Sequence, residues 1–115
     1  MTIAHTTAKL KNTELVEKIL SRLIKAYNPV SVYLFGSYAW GIPDKSSDMD
    51  FFVVVDKSSL TSADRIRLGM RELTDIDIAV DIIVFTKDEI AEKKDHLSTL
   101  TNKVISKGIK LYEAA

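Results

Sequence analysis

The sequence predicts an α/β (α+β) fold, a mixed β-sheet packed by helices, and three observations carry that prediction. Short apolar runs of strand length alternate along the chain with segments of helical periodicity. One run, Asp48 to Val55, has an interior apolar enough for burial on both faces of a sheet. The 115 residues, 46% hydrophobic and 28% charged, suffice for one hydrophobic core, so residues 1–115 read as one globular domain without a stapling disulfide.

The elements follow in order. Residues 1–11 are polar with small side chains and read as a flexible tail. A helix is expected from about Thr13 to Tyr27, capped by Asn12, with Glu14 suiting its positive end and Pro29 following its stop. Leu15, Ile19, Leu23 and Ile24 fall on one of its faces. Val30 to Phe35 reads as a strand bounded by Pro29 and Gly36. The Gly-, Pro- and Ser-rich stretch from Gly36 to Ser47 reads as a loop with room for a helical turn after Ser37. Its twelve residues leave the relative direction of the flanking strands open. After the Asp48 to Val55 strand, a helix over about Ser62 to Leu73 places Ile66, Met70 and Leu73 at helical spacing. Ala79 to Thr86 is a third strand, and Thr86 is placed to cap a short helix over Lys87 to Lys94. A last helix over about Leu97 to Ser106 is stopped by Gly108, and Ile109 to Tyr112 forms a terminal strand.

Composition excludes several functions. With no cysteine there is no disulfide, thiolate metal site or cysteine nucleophile. A formal net charge of zero argues against general nucleic-acid binding, which normally shows as a basic excess. The longest apolar run, Phe51 to Val55, is far too short to span a membrane, and Met1 to Leu10 has no signal-peptide core. A cytoplasmic protein is expected.

Two short patterns carry the chemistry. Gly36-Ser37 ends a buried strand, where glycine permits close backbone approach and a following helical turn aims N–H groups at an anion. Asp48-Met49-Asp50 opens the next strand, and in a strand residues i and i+2 share a face. Two carboxylates side by side repel and resist burial, a conflict that a divalent cation resolves, with hard oxygen donors suiting Mg²⁺ or Mn²⁺. Asp81 interrupts an otherwise apolar strand, where a lone buried aspartate costs on the order of several kcal/mol unless paired or metal-bound. If its strand neighbours that of Asp50, three acids converge beside a phosphate-cradling turn, a set suited to phosphoryl or nucleotidyl transfer.

Gly36-Ser37, ten residues, Asp48-x-Asp50 and the later Asp81 resemble the signature of the DNA polymerase β-like nucleotidyltransferase superfamily. The resemblance covers roughly Val30 to Thr86, more weakly Gly108, Leu111 and Tyr112, and the short length resembles the minimal nucleotidyltransferase group, the MntA-type antitoxins of HEPN/MNT toxin–antitoxin pairs. It implies that Asp48, Asp50 and Asp81 are catalytic and hold Mg²⁺, with Asp81 helping to deprotonate an acceptor hydroxyl, and that Gly36 and Ser37 bind the nucleotide phosphates. It further implies ATP as nucleoside triphosphate substrate, AMP as the transferred group, and a tyrosine of a HEPN-family toxin as acceptor. In one place the run departs from the family's Gly-Ser-x-Ala-Arg-Gly: Trp40 stands at the arginine position, and a tryptophan cannot neutralise a triphosphate. Lys45 is a nearby cation that could compensate.

Other features read as structural. Asp75-Ile76-Asp77 follows a helix with no Gly-Ser turn upstream and reads as a solvated loop. His5 lies in the tail and His96 between two helices beside Asp95, so no serine finds a catalytic histidine. Arg65, Arg67 and Arg71 read as a solvated helix face. Tyr33, Tyr38 and Trp40 fit a base pocket or plain packing equally. Two further functions stay open: a non-catalytic antitoxin that neutralises its partner by binding, and a nucleotidyltransferase acting on a small-molecule hydroxyl such as an aminoglycoside.

Overall fold

The four predicted strands form one mixed sheet. They are β1 (Ser31–Phe35), β2 (Met49–Val55), β3 (Val80–Thr86) and β4 (Ile109–Glu113), in spatial order β3-β2-β1-β4. The helices are α1 (Thr13–Tyr27), the single turn α2 (Ser37–Trp40), α3 (Ser62–Met70), α4 (Lys87–Asp95) and α5 (Thr99–Lys107). This computed structural model describes residues 13–43, 47–95 and 99–115; the expected tail, the Asn12 cap, His5, Lys45 and His96 lie outside the described residues. No helix among the described residues is long and apolar enough to cross a membrane.

The strand direction that the sequence left open is antiparallel for β1 and β2, with Phe35 opposite Asp50. β2 and β3 run parallel, joined through α3, as a parallel pair requires a crossover connection. β2 is central, and all of Phe51 to Val55 is buried. Alternation divides it between two cores. Met49, Phe51, Val53 and Val55 pack with α1, whereas Phe52 and Val54 pack with Phe35 and with Val104 of α5.

α1 buries Val16, Ile19, Leu20 and Leu23; Leu15 and Ile24 flank this face instead of centring it. The helix ends at Asn28, which takes the left-handed conformation (φ 46°) and donates to the Ile24 carbonyl at 2.8 Å, before Pro29.

α3 departs further from expectation. It ends at Met70 and tightens into a 3₁₀ turn over Arg71–Leu73. Its inward face is Arg65, Gly69 and Leu73, while Ile66 and Met70 face outward. The reason is Tyr27. Its ring lies so close to Gly69 that a Cβ there would meet the phenol, and its hydroxyl accepts from the Gly69 amide at 2.9 Å and donates to the Arg65 carbonyl. Arg65, expected on a solvated face, is buried instead. Its guanidinium donates to Glu89 Oε1 at 2.6 Å and to the carbonyls of Leu60 (3.2 Å) and Val84 (3.4 Å), so the buried charge is paired and hydrogen-bonded. Glu89 also completes the capping expected at Thr86: it accepts from the Thr86 amide at 2.8 Å, and the Thr86 hydroxyl accepts from the Glu89 amide at 3.2 Å, a reciprocal capping box.

Candidate active site

The turn after β1 and the start of β2 lie side by side because the two strands are antiparallel and Phe35 pairs with Asp50. Gly36, the residue after Phe35, has φ 75° and ψ −157°, a region open essentially to glycine alone. A Cβ on Gly36 would overlap the Asp50 carboxylate, so the missing side chain is what lets the acid stand against the turn. The Gly36 carbonyl accepts from the amides of Ala39 (2.9 Å) and Trp40 (3.0 Å), and α2 closes with the Gly41 amide on the Ser37 carbonyl at 3.2 Å. Ser37 is thereby the first residue of a helical turn, partly exposed, with its early amides directed out of the turn.

The parallel register places Asp81 directly opposite Asp50. Asp48 lies two residues before Asp50, just ahead of β2. Asp50 is half-buried and shares a hydrogen bond with Asp81. Its carboxyl is pushed up from 3.8 to about 6, first by burial, then by the charges of Asp81 and Asp48, then by that hydrogen bond. Asp81 itself is exposed, on an edge strand, and is not the buried acid the apolar run suggested. An edge strand has a neighbour on one side only, so its acid can reach water while still facing Asp50.

Among the described residues no arginine, lysine or histidine forms an ion pair with any of the three acids. Nor do three such acids, among those residues, already stand in an arrangement that encloses an ion. The donor set nonetheless fits a divalent cation: Asp50 and Asp81 on adjacent strands and Asp48 just ahead of β2, all hard oxygen donors, with Asp50 pushed up by burial and then by the charges of the other two.

The aromatic residues separate. Tyr38 is buried in the core with α1. Tyr33 meets Phe52 edge-on at 6.3 Å between centroids, with Lys110 Nζ 5.6 Å from its ring centre. Trp40 packs against Phe35 at 6.2 Å, and Lys103 Nζ sits over its ring, 4.6 Å from the centroid. Lys103 had no signal in the sequence, since it is one of several lysines on an ordinary helix pattern and its proximity to Trp40 exists only in the fold. The Asp75-Ile76-Asp77 pair stays apart from the site: Asp75 is bidentate to Arg22, including Nη2 to Oδ2 at 3.0 Å, and lies 3.8 Å from Lys18.

The profile of the family described as Polymerase beta, Nucleotidyltransferase matches residues 17–115. No curated protein matches the chain significantly. Among solved structures, a Sulfolobus solfataricus protein assigned as a nucleotidyltransferase shares 22% identity over 94% of this chain and 84% of its own, with a TM-score of 0.61. A toxin–antitoxin crystallised with AMP-PNP shares 24% identity over 85% of this chain and 73% of that one, with a TM-score of 0.62. The toxin–antitoxin MntA–HpeT, in a mutant carrying two aspartate-to-glutamate changes, shares 22% identity over 85% and 73%, with a TM-score of 0.61. At these identities the likeness is one of fold.

Proposed function

We propose, from the premise that the chain belongs to the polymerase beta nucleotidyltransferase family, that it is a Mg²⁺-dependent enzyme transferring AMP from ATP to a tyrosine hydroxyl of a HEPN-family toxin, and so acts as a cytoplasmic antitoxin. The observation that carries this reading is the register pairing of Asp50 with Asp81 beside Gly36, with Asp48 two residues away. The toxin–antitoxin neighbours, one of them crystallised with an ATP analogue, support the choice of nucleotide and partner.

In this reading Gly36 and the amides at the start of α2 receive the β- and γ-phosphates, with the Ser37 hydroxyl as a further donor. Asp48, Asp50 and Asp81 hold the metal, which when bound neutralises phosphate charge and lowers the barrier to attack at the α-phosphorus. Asp81, exposed on the edge strand, faces the acceptor and takes the hydroxyl proton. The acceptor oxygen bonds to the α-phosphorus, the bond from that phosphorus to the bridging oxygen breaks, and pyrophosphate leaves with the electron pair. Burial and like charge hold Asp50 near 6, so below that pH it carries a proton that competes with metal.

The test incubates the chain with labelled ATP, Mg²⁺ and a HEPN-family toxin. Label is expected on a toxin tyrosine, and an Asp48→Ala/Asp50→Ala double variant is expected to lose at least about a thousandfold in rate. Full transfer by the double variant would discard the site. Equal toxin neutralisation by wild type and double variant, at equal protein levels, would instead establish an antitoxin that works by binding alone. Transfer to an aminoglycoside but not to the toxin would move the acceptor to a small molecule.

A further inference from the structure

We infer that Lys103, held over the Trp40 ring, is the cation that meets the pyrophosphate end of the bound nucleoside triphosphate, an assignment that rests on the nucleotidyltransferase reading above. α5 packs on the sheet face that carries the acids: Val104 is buried with Phe35 and Phe52, and Phe52 follows Asp50 on the same side of β2. Lys103, its neighbour in sequence, stays exposed, with its ammonium 4.6 Å from the centre of the Trp40 ring.

Trp40 ties that ammonium to the site by two links. Its amide donates to the Gly36 carbonyl at 3.0 Å, which puts it one helical turn from the residue touching Asp50. Its ring packs on Phe35, the register partner of Asp50. Lys103 thus stands at the far end of the α2 turn, with the acids at the near end.

Its place over Trp40, together with its charge, sets Lys103 apart. Lys110 is also on this face, beside Tyr33, but is neutralised by Glu113 at 2.7 Å. Arg22, Arg65 and Arg67 each have a carboxylate partner elsewhere. Among the described residues no carboxylate pairs with Lys103. An indole face attracts an exposed ammonium enough to narrow the conformations of a flexible lysine while leaving its N–H donors available. With the α2 amides receiving the terminal phosphates and metal charge balancing the acids, a cation beside the last residue of that short turn adds attraction for the pyrophosphate and favours one orientation of it.

The experiment measures equilibrium binding of ATP and of AMP, in Mg²⁺, to the wild-type chain and to Lys103→Ala, Lys103→Arg, Trp40→Leu and the Lys103→Ala/Trp40→Leu double variant. Lys103→Ala is expected to weaken ATP by about tenfold and leave AMP unchanged, because only ATP carries the pyrophosphate. Lys103→Arg keeps the charge and restores most of the affinity. Trp40→Leu weakens ATP less, and the double variant is no weaker than Lys103→Ala, since the ring acts through the lysine. Circular dichroism establishes that each variant is folded. An unchanged ATP affinity in Lys103→Ala, or an equal loss for ATP and AMP, overturns the assignment and leaves the nucleotidyltransferase reading standing. A folded wild-type chain that binds no ATP overturns both.

Discussion

Asp48-Met49-Asp50 and Asp75-Ile76-Asp77 are the same pattern of residues in two settings. Asp50 is half-buried, faces Asp48 and Asp81, and is pushed up to about 6. Asp75 is exposed, grips Arg22, and is pulled down to about 2, first by its hydrogen bonds to that guanidinium. Glu89 belongs with Asp75: Arg65 and the Thr86 amide hold it below the usual carboxylate range. Acids that tie elements together here are each given a cation from a distant part of the chain, whereas those of the candidate site are given one another. The second arrangement opposes stability, and it persists because the strands that carry these acids are fixed by the two cores around Phe51 and Phe52.

The contrast can be broken most strongly at Gly36. Gly36→Ala puts a side chain where φ is 75° and where the Asp50 carboxylate already stands. A loss of about 2 kcal/mol in unfolding free energy is expected, together with a fall in transfer rate of at least tenfold. Denaturant unfolding and the labelled-ATP assay read the two effects, and a variant as stable and active as wild type would show that Asp50 has room to spare.

Asp50→Asn gives a smaller effect with a definite sign. Because the folded-state value is raised, the contribution of Asp50 to stability is fully present below 3.8 and is lost as pH rises through about 6. Without divalent metal, the asparagine variant is therefore expected to be more stable than wild type at about pH 7.5, by about 1 kcal/mol after allowing for solvent screening, and the gap is expected to close near pH 4. Thermal melts at both pH values decide it; a gap that ignores pH would mean that neither burial nor like charge raises Asp50.

Asp75→Asn is the mildest change and has the opposite slope. The stabilising contribution of Asp75 is present above 3.8 and is lost as pH falls toward about 2. The pair is exposed, so the variant is expected to lose little at neutral pH, to become indistinguishable from wild type in roughly 0.5 M salt, and to keep full transfer activity. Melts with and without salt test it.

Local pattern made much of this legible. The strand end at Gly36, the cap at Thr86, the stop at Gly108 and the shared face of Asp48 and Asp50 each depend on residues a few positions apart. The inward face of α3 departs from its local pattern for the converse reason. Ile66 and Met70 have the right spacing, but the ring of Tyr27, 42 positions from Gly69, takes the inner side, and Arg65 follows it in to reach Glu89, 24 positions on. Hydropathy has no means of foretelling a buried arginine whose partner comes from another helix.

The sequence by itself determined the alternation of strands and helices, the Gly-Ser turn, the Asp-x-Asp pair and the existence of a third acid on another strand, since these follow from periodicity, backbone freedom and short spacing. Only the tertiary structure decided which acids meet. The parallel register sets Asp81 opposite Asp50, the antiparallel one brings Gly36 against it, Arg22 claims Asp75, and α5 carries Lys103 to Trp40. Those outcomes belong to pairings between distant segments, which are fixed by the packing of whole faces and leave no mark on the local order of residues.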